Sequence, residues 1–492
     1  MRTTLLLSFI FALSALAQDQ ETILFTSVRY NTQKASSTSL SDEQRKEADR
    51  LGREAMQLGA AGKYGDAMRS FHQGFAIMNG IAWTGTYQLA ASMQAKVDHA
   101  LAQPGKPVVI SLTTLYAPTV PVEDSLTASV VLRPAKGDDA KVLAKIDKLD
   151  AAKMPQTISA TMPSDLDGND ILEVRLAPTK GEIDSKTRST FIKAIPVHVE
   201  ALGDAIAALR TRLAGAKGQD TPAFASAQYV VDLYDRVDAG AANAHRYDFR
   251  KEVANATAIV DALDNGIDPL ASLKGDFRRA YRSDVDRQLQ PYRMFVPKEY
   301  DGTKATPLVI ALHGMGGDED SMFDGYSQNL KKEAARLGFL VACPKGRTIA
   351  SMYRGTAEKD VMDVLAEVQR DYKVDANRIY IMGHSMGGFG TWSIAMNHPD
   401  VFAALGPFAG GGMPGGMAKI KHIPEYVVHG DNDKTVAVTS SRAMVEAGKK
   451  LGAPIEYVEV PGGSHSDVVA PRIGAMLDFF AKQRKPDAVN AN

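Results

Sequence analysis

The sequence contains a single cysteine, Cys343, among 492 residues. A disulfide needs two cysteines, so none can form within the chain, and no cysteine cluster is available to bind a metal ion. An excess of charge of either sign is also missing, because 57 lysines and arginines stand against 58 aspartates and glutamates, for a formal net charge of −1. This balance indicates neither a nucleic acid nor an anionic membrane as a partner.

An apolar stretch lies at the N-terminus of the chain. Arg2 precedes the almost wholly apolar residues 5–16, and the stretch ends in Ala-Leu-Ala at 15–17. A basic start, a short apolar core and small residues at its end are typical of a secretory signal peptide. The stretch is too short for a comfortable membrane span. We therefore expect cleavage after Ala17 and a secreted or periplasmic protein with no membrane span in its mature form.

Changes in residue pattern divide the chain into segments, as its length of 492 residues leads us to expect. A polar linker to about residue 40 precedes helical patterns that continue to Leu101, and β-rich runs separated by Pro, Gly and Asp turns follow. In order, we predict a signal peptide at 1–17, a linker and helical region at 18–103, a small β-sandwich at 104–198, a helical region at 199–284, a catalytic α/β domain at 285–485 and a disordered tail at 486–492.

Residues 285–485 alternate between short apolar strands and helical patterns. Pro307–Leu312, Ile379–Met382 and Tyr426–His429 are examples of the strands, each apolar almost throughout. Repeated β–α pairs with continuous apolar strands predict a mostly parallel sheet that is covered by helices on both faces. In such a sheet, reactive residues gather beyond the C-terminal ends of the strands.

The pentapeptide Gly383-His384-Ser385-Met386-Gly387 follows one of these strands and precedes a helical pattern at 389–397. A G-x-S-x-G sequence in this strand–turn–helix context predicts a nucleophilic serine on a sharp turn. The two glycines are small for a steric reason, and the backbone N–H of Met386 is placed to face a developing oxyanion. The alternative, a chance pentapeptide in a glycine-rich chain, does not explain the context.

A serine nucleophile needs a base, and the base needs a carboxylate that orients it. The expected chain order is serine, acid, histidine. His465 follows the last predicted strand and is the candidate base. Asp433 follows the strand before it and is the candidate acid, with Asp431 as the alternative. The second oxyanion donor is expected from the loop after an earlier strand, where Met315 N–H is the candidate.

Residues 285–485 resemble the α/β-hydrolase superfamily and, within it, secreted esterases of the feruloyl-esterase, polyhydroxyalkanoate-depolymerase and predicted-peptidase kind. The motifs that carry this resemblance are Leu312-His313-Gly314, Val374 to Tyr380, Gly383 to Gly388, His429 to Asp433 and Gly463-Ser464-His465. The resemblance implies acyl transfer to water through an acyl-enzyme on Ser385. It implies a serine carboxylesterase, with feruloyl or acetyl esters on plant polysaccharide as the expected substrates.

Two other functions stay open. One is a serine peptidase of the prolyl-oligopeptidase type, which would use a large N-terminal region to screen substrates, although the chain shows no propeller repeat. The other is a non-catalytic binding module on a hydrolase fold, which an intact order of Ser385, Asp433 and His465 argues against. We expect no metal and no organic cofactor, and the sequence does not indicate a protein partner for the first 284 residues.

Overall fold

The structure is a computed structural model that describes residues 20, 22–134, 140–164, 171–183, 185–195, 198–199, 202–239 and 247–486. The predicted signal peptide, and the predicted tail from residue 487 on, lie outside the described residues and stay predictions. The chain divides into two compact units. Unit 1 comprises Met1–Gly215 and Val230–Ala258, and unit 2 comprises Ala216–Tyr229 and Ile259–Asn492. The limits of the predicted segments stay predictions.

Unit 1 begins with helices. In chain order they are α1 at 22–36, α2 at Asp42–Ala60, α3 at Tyr64–Met78 and α4 at Gly85–Ser92. Helix α2 begins with a capping box. The backbone N–H of Gln44 donates to Ser41 Oγ over 3.2 Å, and the backbone N–H of Ser41 donates to Gln44 Oε1 over 3.0 Å. These two bonds satisfy donors that the first helical turn leaves without a partner.

The predicted linker at 18–40 is wrong over residues 22–36, which form α1. Ile23 and Tyr30 of this helix are buried. Tyr30 OH donates to the carbonyl of Ala48 over 2.7 Å, and a Cβ on Gly74 would lie 2.0 Å from the same hydroxyl. The tyrosine ring therefore fixes α1 against the hairpin of α2 and α3, a tertiary contact that the polar sequence around it did not indicate.

The strands of unit 1 form two antiparallel sheets that share one core. The bounds are β1 at Met93–Val97, β2 at Leu101–Ala102, β3 at Pro107–Thr114, β4 at Leu126–Arg133, β5 at Lys141–Ile146, β6 at Gln156–Thr161, β7 at Ile171–Pro178, β8 at Ile192–Ile195 and β9 at His198–Val199. The sheet orders are β1-β3-β6 and β5-β4-β7-β8, with β2 and β9 as a separate pair. This is the predicted β-sandwich. The helix predicted as far as Leu101 instead ends at Ser92, because β1 pairs with β3.

Three helices, α5 at Gly203–Gly215, α6 at Pro222–Asp238 and α7 at Phe249–Asp264, precede the sheet of unit 2. The strands of that sheet are β10 at Gly275–Arg282, β11 at Leu289–Val296, β12 at Thr306–Leu312, β13 at Leu340–Pro344, β14 at Val374–His384, β15 at Ala404–Phe408, β16 at Glu425–Gly430 and β17 at Ile455–Val460. Helices α8 at Ser321–Asp324, α9 at Asn329–Leu337, α10 at Thr356–Asp371, α11 at Met386–Asn397 and α12 at Thr439–Lys450 lie between these strands in the chain, and α13 at Ile473–Ala481 follows the last of them. In the described part of the chain, none of the helices combines the length and hydrophobicity of a membrane-spanning segment.

The eight-stranded sheet of unit 2 has the order β10-β11-β13-β12-β14-β15-β16-β17. Strand β11 runs antiparallel to both of its neighbours, and the pairs from β13 to β17 are parallel. Helices α10, α11 and α12 contribute to the core on one face, and α9 and α13 to the core on the other. The predicted parallel sheet covered on both faces is therefore confirmed. The strand order reverses at β12, which makes the adjacent C-terminal strand ends the expected location of a site.

Strand β10 lies inside the segment that the sequence predicts to be helical, so this part of the prediction is wrong. The strand pairs with β11 along its whole length. It carries Arg278 and Arg279, whose side chains are 6% and 0% exposed. Arg278 pairs with Glu319, and Arg279 pairs with Asp371. Paired arginines occupy buried positions of β10 where apolar residues are usual. The strand therefore lacks the alternation of apolar and polar residues from which a strand is predicted in a sequence.

Glu425, at the start of β16, gives unit 2 a pH-dependent stability. The residue is 0% exposed, its Oε2 accepts a hydrogen bond from Trp392 Nε1 over 2.8 Å, and burial raises the pKa of its carboxyl to about 7. Between its ordinary pKa of 4.5 and about 7, Glu425 keeps its proton in the folded protein and loses it in the unfolded chain. The contribution of Glu425 to the free energy of unfolding therefore falls as the pH rises through this window, by about 3 kcal/mol in total.

Replacing Glu425 by glutamine should remove most of this pH dependence, because the amide keeps an acceptor for Trp392 and does not ionise. From pH 5 to pH 8 we expect the urea midpoint of Glu425→Gln to rise relative to that of the wild type, because every other titrating group is common to the two proteins and cancels in the difference. The exposed Glu456→Gln on β17 is the control and should follow the wild type. Equal pH dependence in the wild type and Glu425→Gln would contradict a buried, titrating Glu425.

Candidate active site

Ser385 lies on a sharp turn between β14 and α11. Its backbone has φ 56° and ψ −115°, a conformation that costs a non-glycine residue free energy. A Cβ on Gly383 would lie 2.4 Å from the carbonyl oxygen of Gly387, and a Cβ on Gly387 would lie 2.2 Å from that of Leu312. Both positions thus require glycine, and the turn presents the Ser385 side chain at the C-terminal end of the strand, as the motif predicts.

Two backbone donors are available next to this turn. Met386 follows Ser385 as the first residue of α11, where helical N–H groups have no partner within the helix. The loop after β12 also reaches the turn, since a Cβ on Gly314 would lie 3.5 Å from the Cβ of Ser385. Met315 is the next residue in that loop. The structure therefore places both predicted oxyanion donors, Met315 N–H and Met386 N–H, on segments that adjoin Ser385.

Asp433 and His465 are brought together from the loops after β16 and β17. His465 Nδ1 lies 2.7 Å from Asp433 Oδ2, and Asp433 Oδ1 accepts from the backbone N–H groups of Thr435 and Val436 over 2.8 and 2.9 Å. Burial alone would raise the pKa of Asp433, but hydrogen bonds from His429 and His465 outweigh it and hold this pKa well below its usual range. The carboxylate stays ionised at neutral pH, so His465 Nδ1 donates and Nε2 is left for the nucleophile.

The alternative acid, Asp431, is used differently. Its Oδ1 accepts a hydrogen bond from the backbone N–H of Gly462 over 2.7 Å, and its side chain is exposed at the surface of the loop. The bond ties the loop after β16 to the turn after β17. The geometry therefore favours Asp433 as the partner of His465 and gives Asp431 a role in holding the two loops together.

His384, next to the nucleophile, connects the serine turn to the histidine loop. Its Nε2 lies 2.8 Å from the carbonyl oxygen of His465, so Nε2 carries the proton and Nδ1 accepts from Tyr326 OH, also over 2.8 Å. Burial, followed by the nearby His465, lowers the pKa of His384 to about 4, so the ring is neutral at neutral pH. This contact, with ring centroids of His384 and His465 4.7 Å apart, holds His465 against the residue that precedes Ser385.

His429 contacts the candidate acid, a role that the sequence did not indicate. The residue is 0% exposed. Its Nε2 lies 3.1 Å from Asp433 Oδ2 and 2.9 Å from the carbonyl oxygen of Val436. Both neighbours are acceptors, so Nε2 carries a proton and donates. Asp433 thus receives four hydrogen bonds in total, and His429 is a positioning residue for it. In the sequence, the only indication of this role is that His429 lies four residues before Asp433.

We expect His429→Leu to lower kcat/KM for an ester substrate by about 10- to 100-fold, because Asp433 and Val436 each lose a buried donor. His429→Gln should keep most of the activity, since its Nε2 amide can donate to the same two acceptors. Initial rates of the two variants, with their thermal midpoints as a check on folding, measure the difference. Equal losses in both variants would contradict a role that depends on this donor.

In a comparison with known protein families, residues 347–410, the segment around the serine turn, match the prolyl oligopeptidase family. Three named relatives are esterases. A bifunctional acetylxylan esterase/xylanase of Neocallimastix patriciarum is 30% identical over 26% of this chain and 19% of its own length. A protein of Aspergillus terreus named "Probable feruloyl esterase C" is 26% identical over 37% of this chain and 66% of its own length. Feruloyl esterase B of Neurospora crassa is 32% identical over 21% of this chain and 38% of its own length.

Unit 2 is an α/β-hydrolase related to serine esterases. Its sheet order, its glycine-flanked serine turn and its esterase relatives agree on this assignment. In each case the chain spans less than two thirds of the relative's own length. The crystal structure of a thermostable esterase covers 80% of this chain and 100% of its own, with 16% identity and a TM-score of 0.39. The fold of this α/β-hydrolase is accordingly assigned from its own sheet and its sequence relatives.

Proposed function

We propose that the protein is an exported carboxylic ester hydrolase that works through an acyl-enzyme on Ser385. The observation that carries the proposal is the 2.7 Å bond between His465 Nδ1 and Asp433 Oδ2, on loops that adjoin the strained turn of Ser385. Ser385, Asp433 and His465 then follow the chain order of an α/β-hydrolase, which is nucleophile, acid and base. They come after the C-terminal ends of β14, β16 and β17, which belong to one sheet.

The proposed reaction has two halves. In the first, His465 Nε2 takes the proton of Ser385 Oγ as the oxygen attacks the ester carbonyl carbon, and the N–H groups of Met315 and Met386 bind the oxyanion. The protonated His465 then gives its proton to the departing alcohol, which leaves Ser385 acylated. In the second half, water loses a proton to His465 and attacks the acyl carbon, and the acid and a free Ser385 are released. Asp433 stabilises the imidazolium in both halves.

Feruloyl or acetyl esters carried on plant polysaccharide are the proposed substrates. The names of the relatives support this choice, since they include an acetylxylan esterase and feruloyl esterases. The connection between β15 and β16 also supports it. Only residues 409–424 join these strands, which leaves little room there for a lipase lid, so soluble or polymer-attached esters are favoured over lipid droplets.

A serine peptidase of the prolyl-oligopeptidase type is the second candidate, because residues 347–410 match that family. The match covers the serine turn, which esterases and peptidases of this fold share, and it does not reach Asp433 or His465. The triad chemistry would be the same for an amide, so substrate preference must separate the two functions.

Initial rates on p-nitrophenyl acetate, butyrate and octanoate, methyl ferulate and a Gly-Pro anilide test the proposal on purified residues 18–492. We expect turnover of acetate and methyl ferulate, weaker turnover of octanoate and none of the anilide. Cleavage of the anilide without preference for esters would replace the proposal with the peptidase. No turnover of any of these compounds would leave a binding module.

A further inference from the structure

A cavity of about 300 Å³ lies within unit 1. One face of α1, one face of α3 and one face of α4 line it, together with the chain at the start of β8. Its lining residues are Thr26, Arg29, Gln33, Met68, His72, Phe75, Asn79, Tyr87, Ala91, Ser189, Thr190 and Lys193. A volume of this size is at the lower end of that of sites for small organic ligands.

The lining carries positive charge and no carboxylate. Arg29 and Lys193 are its charged residues, and in the part of the chain that the structure describes neither forms an ion pair with an acidic side chain. Arg29 is exposed at the rim, with its guanidinium carbon 5.5 Å from the centroid of the Phe75 ring. Lys193 is half-buried, and burial lowers the pKa of its ammonium group to about 8. Placing a lysine here costs free energy that an anionic ligand would offset.

His72 adds a neutral polar group to the lining. Burial, followed by the charges of Lys193 and Arg29, lowers the pKa of its ring to about 4. Its Nδ1 lies 2.7 Å from Tyr116 OH, and burial raises the pKa of that phenol above its usual range. Tyr116 therefore keeps its proton, and both members of this pair are neutral. His72 thus adds a neutral imidazole, and no charge, to the lining of the cavity.

The remaining lining residues can contact a ligand that contains a ring. Phe75 and Tyr87 supply aromatic surface, and Ser189 and Thr190 supply hydroxyl groups. Tyr87 OH lies 3.1 Å from Thr190 Oγ1, which joins α4 to the chain that leads into β8. Polar groups of this kind, set among apolar ones, fix the orientation of a ligand.

We propose that this cavity binds a small organic carboxylate, with the carboxylate group between Arg29 and Lys193 and a six-membered ring against Phe75 and Tyr87. Two cationic side chains and the absence of a carboxylate among the lining residues favour an anionic group on the ligand. A uronic acid sugar and a phenolic acid share this chemistry. The site gives unit 1 a ligand-binding function that is separate from ester hydrolysis in unit 2.

Calorimetry on residues 18–492 carrying Ser385→Ala tests the proposal without hydrolysis. The probes are D-glucuronate with D-glucose as its uncharged counterpart, ferulate with coniferyl alcohol, which has neither a carboxylate nor an ester, as its counterpart, and inorganic phosphate. We expect one of the two carboxylates to bind at least tenfold more tightly than its counterpart, and which one binds identifies the source. Absence of binding by both carboxylates, or tighter binding of phosphate than of either, would overturn the proposal.

Lys193→Gln should weaken carboxylate binding about tenfold or more, since a lost charge-assisted bond is worth roughly 1.5–3 kcal/mol. Lys96→Gln, an exposed lysine on β1 outside the cavity, is the matched control and should bind as the parent does. In the parent, binding should also weaken between pH 7 and pH 9.5 as Lys193 loses its proton, and in Lys193→Gln it should not. Unchanged binding in a folded Lys193→Gln, shown by an unaltered circular dichroism spectrum, would overturn the proposal.

Discussion

Replacing Ser385 by alanine is expected to lower kcat for p-nitrophenyl acetate by about 10⁴- to 10⁶-fold, with little change in stability. The loss is large because the hydroxyl is the atom that bonds to the acyl group, and no other serine occupies the turn between β14 and α11. Oxyanion donors and substrate binding remain in the variant, so a small rate above that of water should persist.

Ser464→Ala is the control for this experiment. Ser464 is exposed and lies directly before His465 in the same loop, so its replacement tests whether a serine-to-alanine change near the site is harmful in itself. Its kcat should remain within about twofold of the wild type, as for a surface substitution. A Ser385→Ala protein that keeps more than a tenth of the wild-type kcat would remove Ser385 from the mechanism.

Asp433→Asn is expected to lower kcat by about 10⁴-fold, as the loss of a triad acid does elsewhere. Asp433 Oδ1 accepts from two backbone N–H groups, so the oxygen of an asparagine would take that position and its NH₂ would face His465 Nδ1. His465 would then accept at Nδ1 and carry its proton on Nε2. In that tautomer Nε2 cannot take the proton of Ser385, and the base is lost although the fold is kept.

Asp431→Asn provides the matched comparison, two residues away on the same loop. An asparagine oxygen can accept from the backbone N–H of Gly462 as well as the carboxylate does, so we expect a change in kcat of less than about threefold for this surface position. Initial rates of the two variants, measured side by side at pH 7.5, separate the two aspartates. A larger loss in Asp431→Asn than in Asp433→Asn would reverse the assignment of the acid.

The sequence predicts the sheet of unit 2 well because its strands are continuous apolar runs. Strands β12, β14 and β16 contain the predicted runs Pro307–Leu312, Ile379–Met382 and Tyr426–His429. The candidate site follows from the same feature. In a parallel sheet, residues directly after successive strands meet at one edge, so chain order alone places Ser385, Asp433 and His465 on neighbouring loops. Choosing Asp433 over Asp431 needed coordinates, because the two lie in the same loop.

The elements that the sequence did not predict depend on contacts between distant residues. Strand β10 was missed because Arg279 is buried between the rings of Tyr292 and Tyr372, at 5.5 and 5.7 Å from their centroids, and a buried arginine looks like an exposed one in a sequence. Helix α1 was missed because its place depends on one tyrosine, Tyr30, and glycines from other helices. The role of His429 depends on the path of the chain from β16 to Asp433.

Labelling with a fluorophosphonate, followed by peptide mapping, tests the central claim most directly, because the reagent bonds to an activated serine and needs no knowledge of the substrate. On purified residues 18–492 we expect one adduct per chain, on the peptide that contains Ser385, formed at least a hundredfold more slowly in Asp433→Asn. No adduct, or an adduct on another residue, would contradict a serine hydrolase whose nucleophile is Ser385.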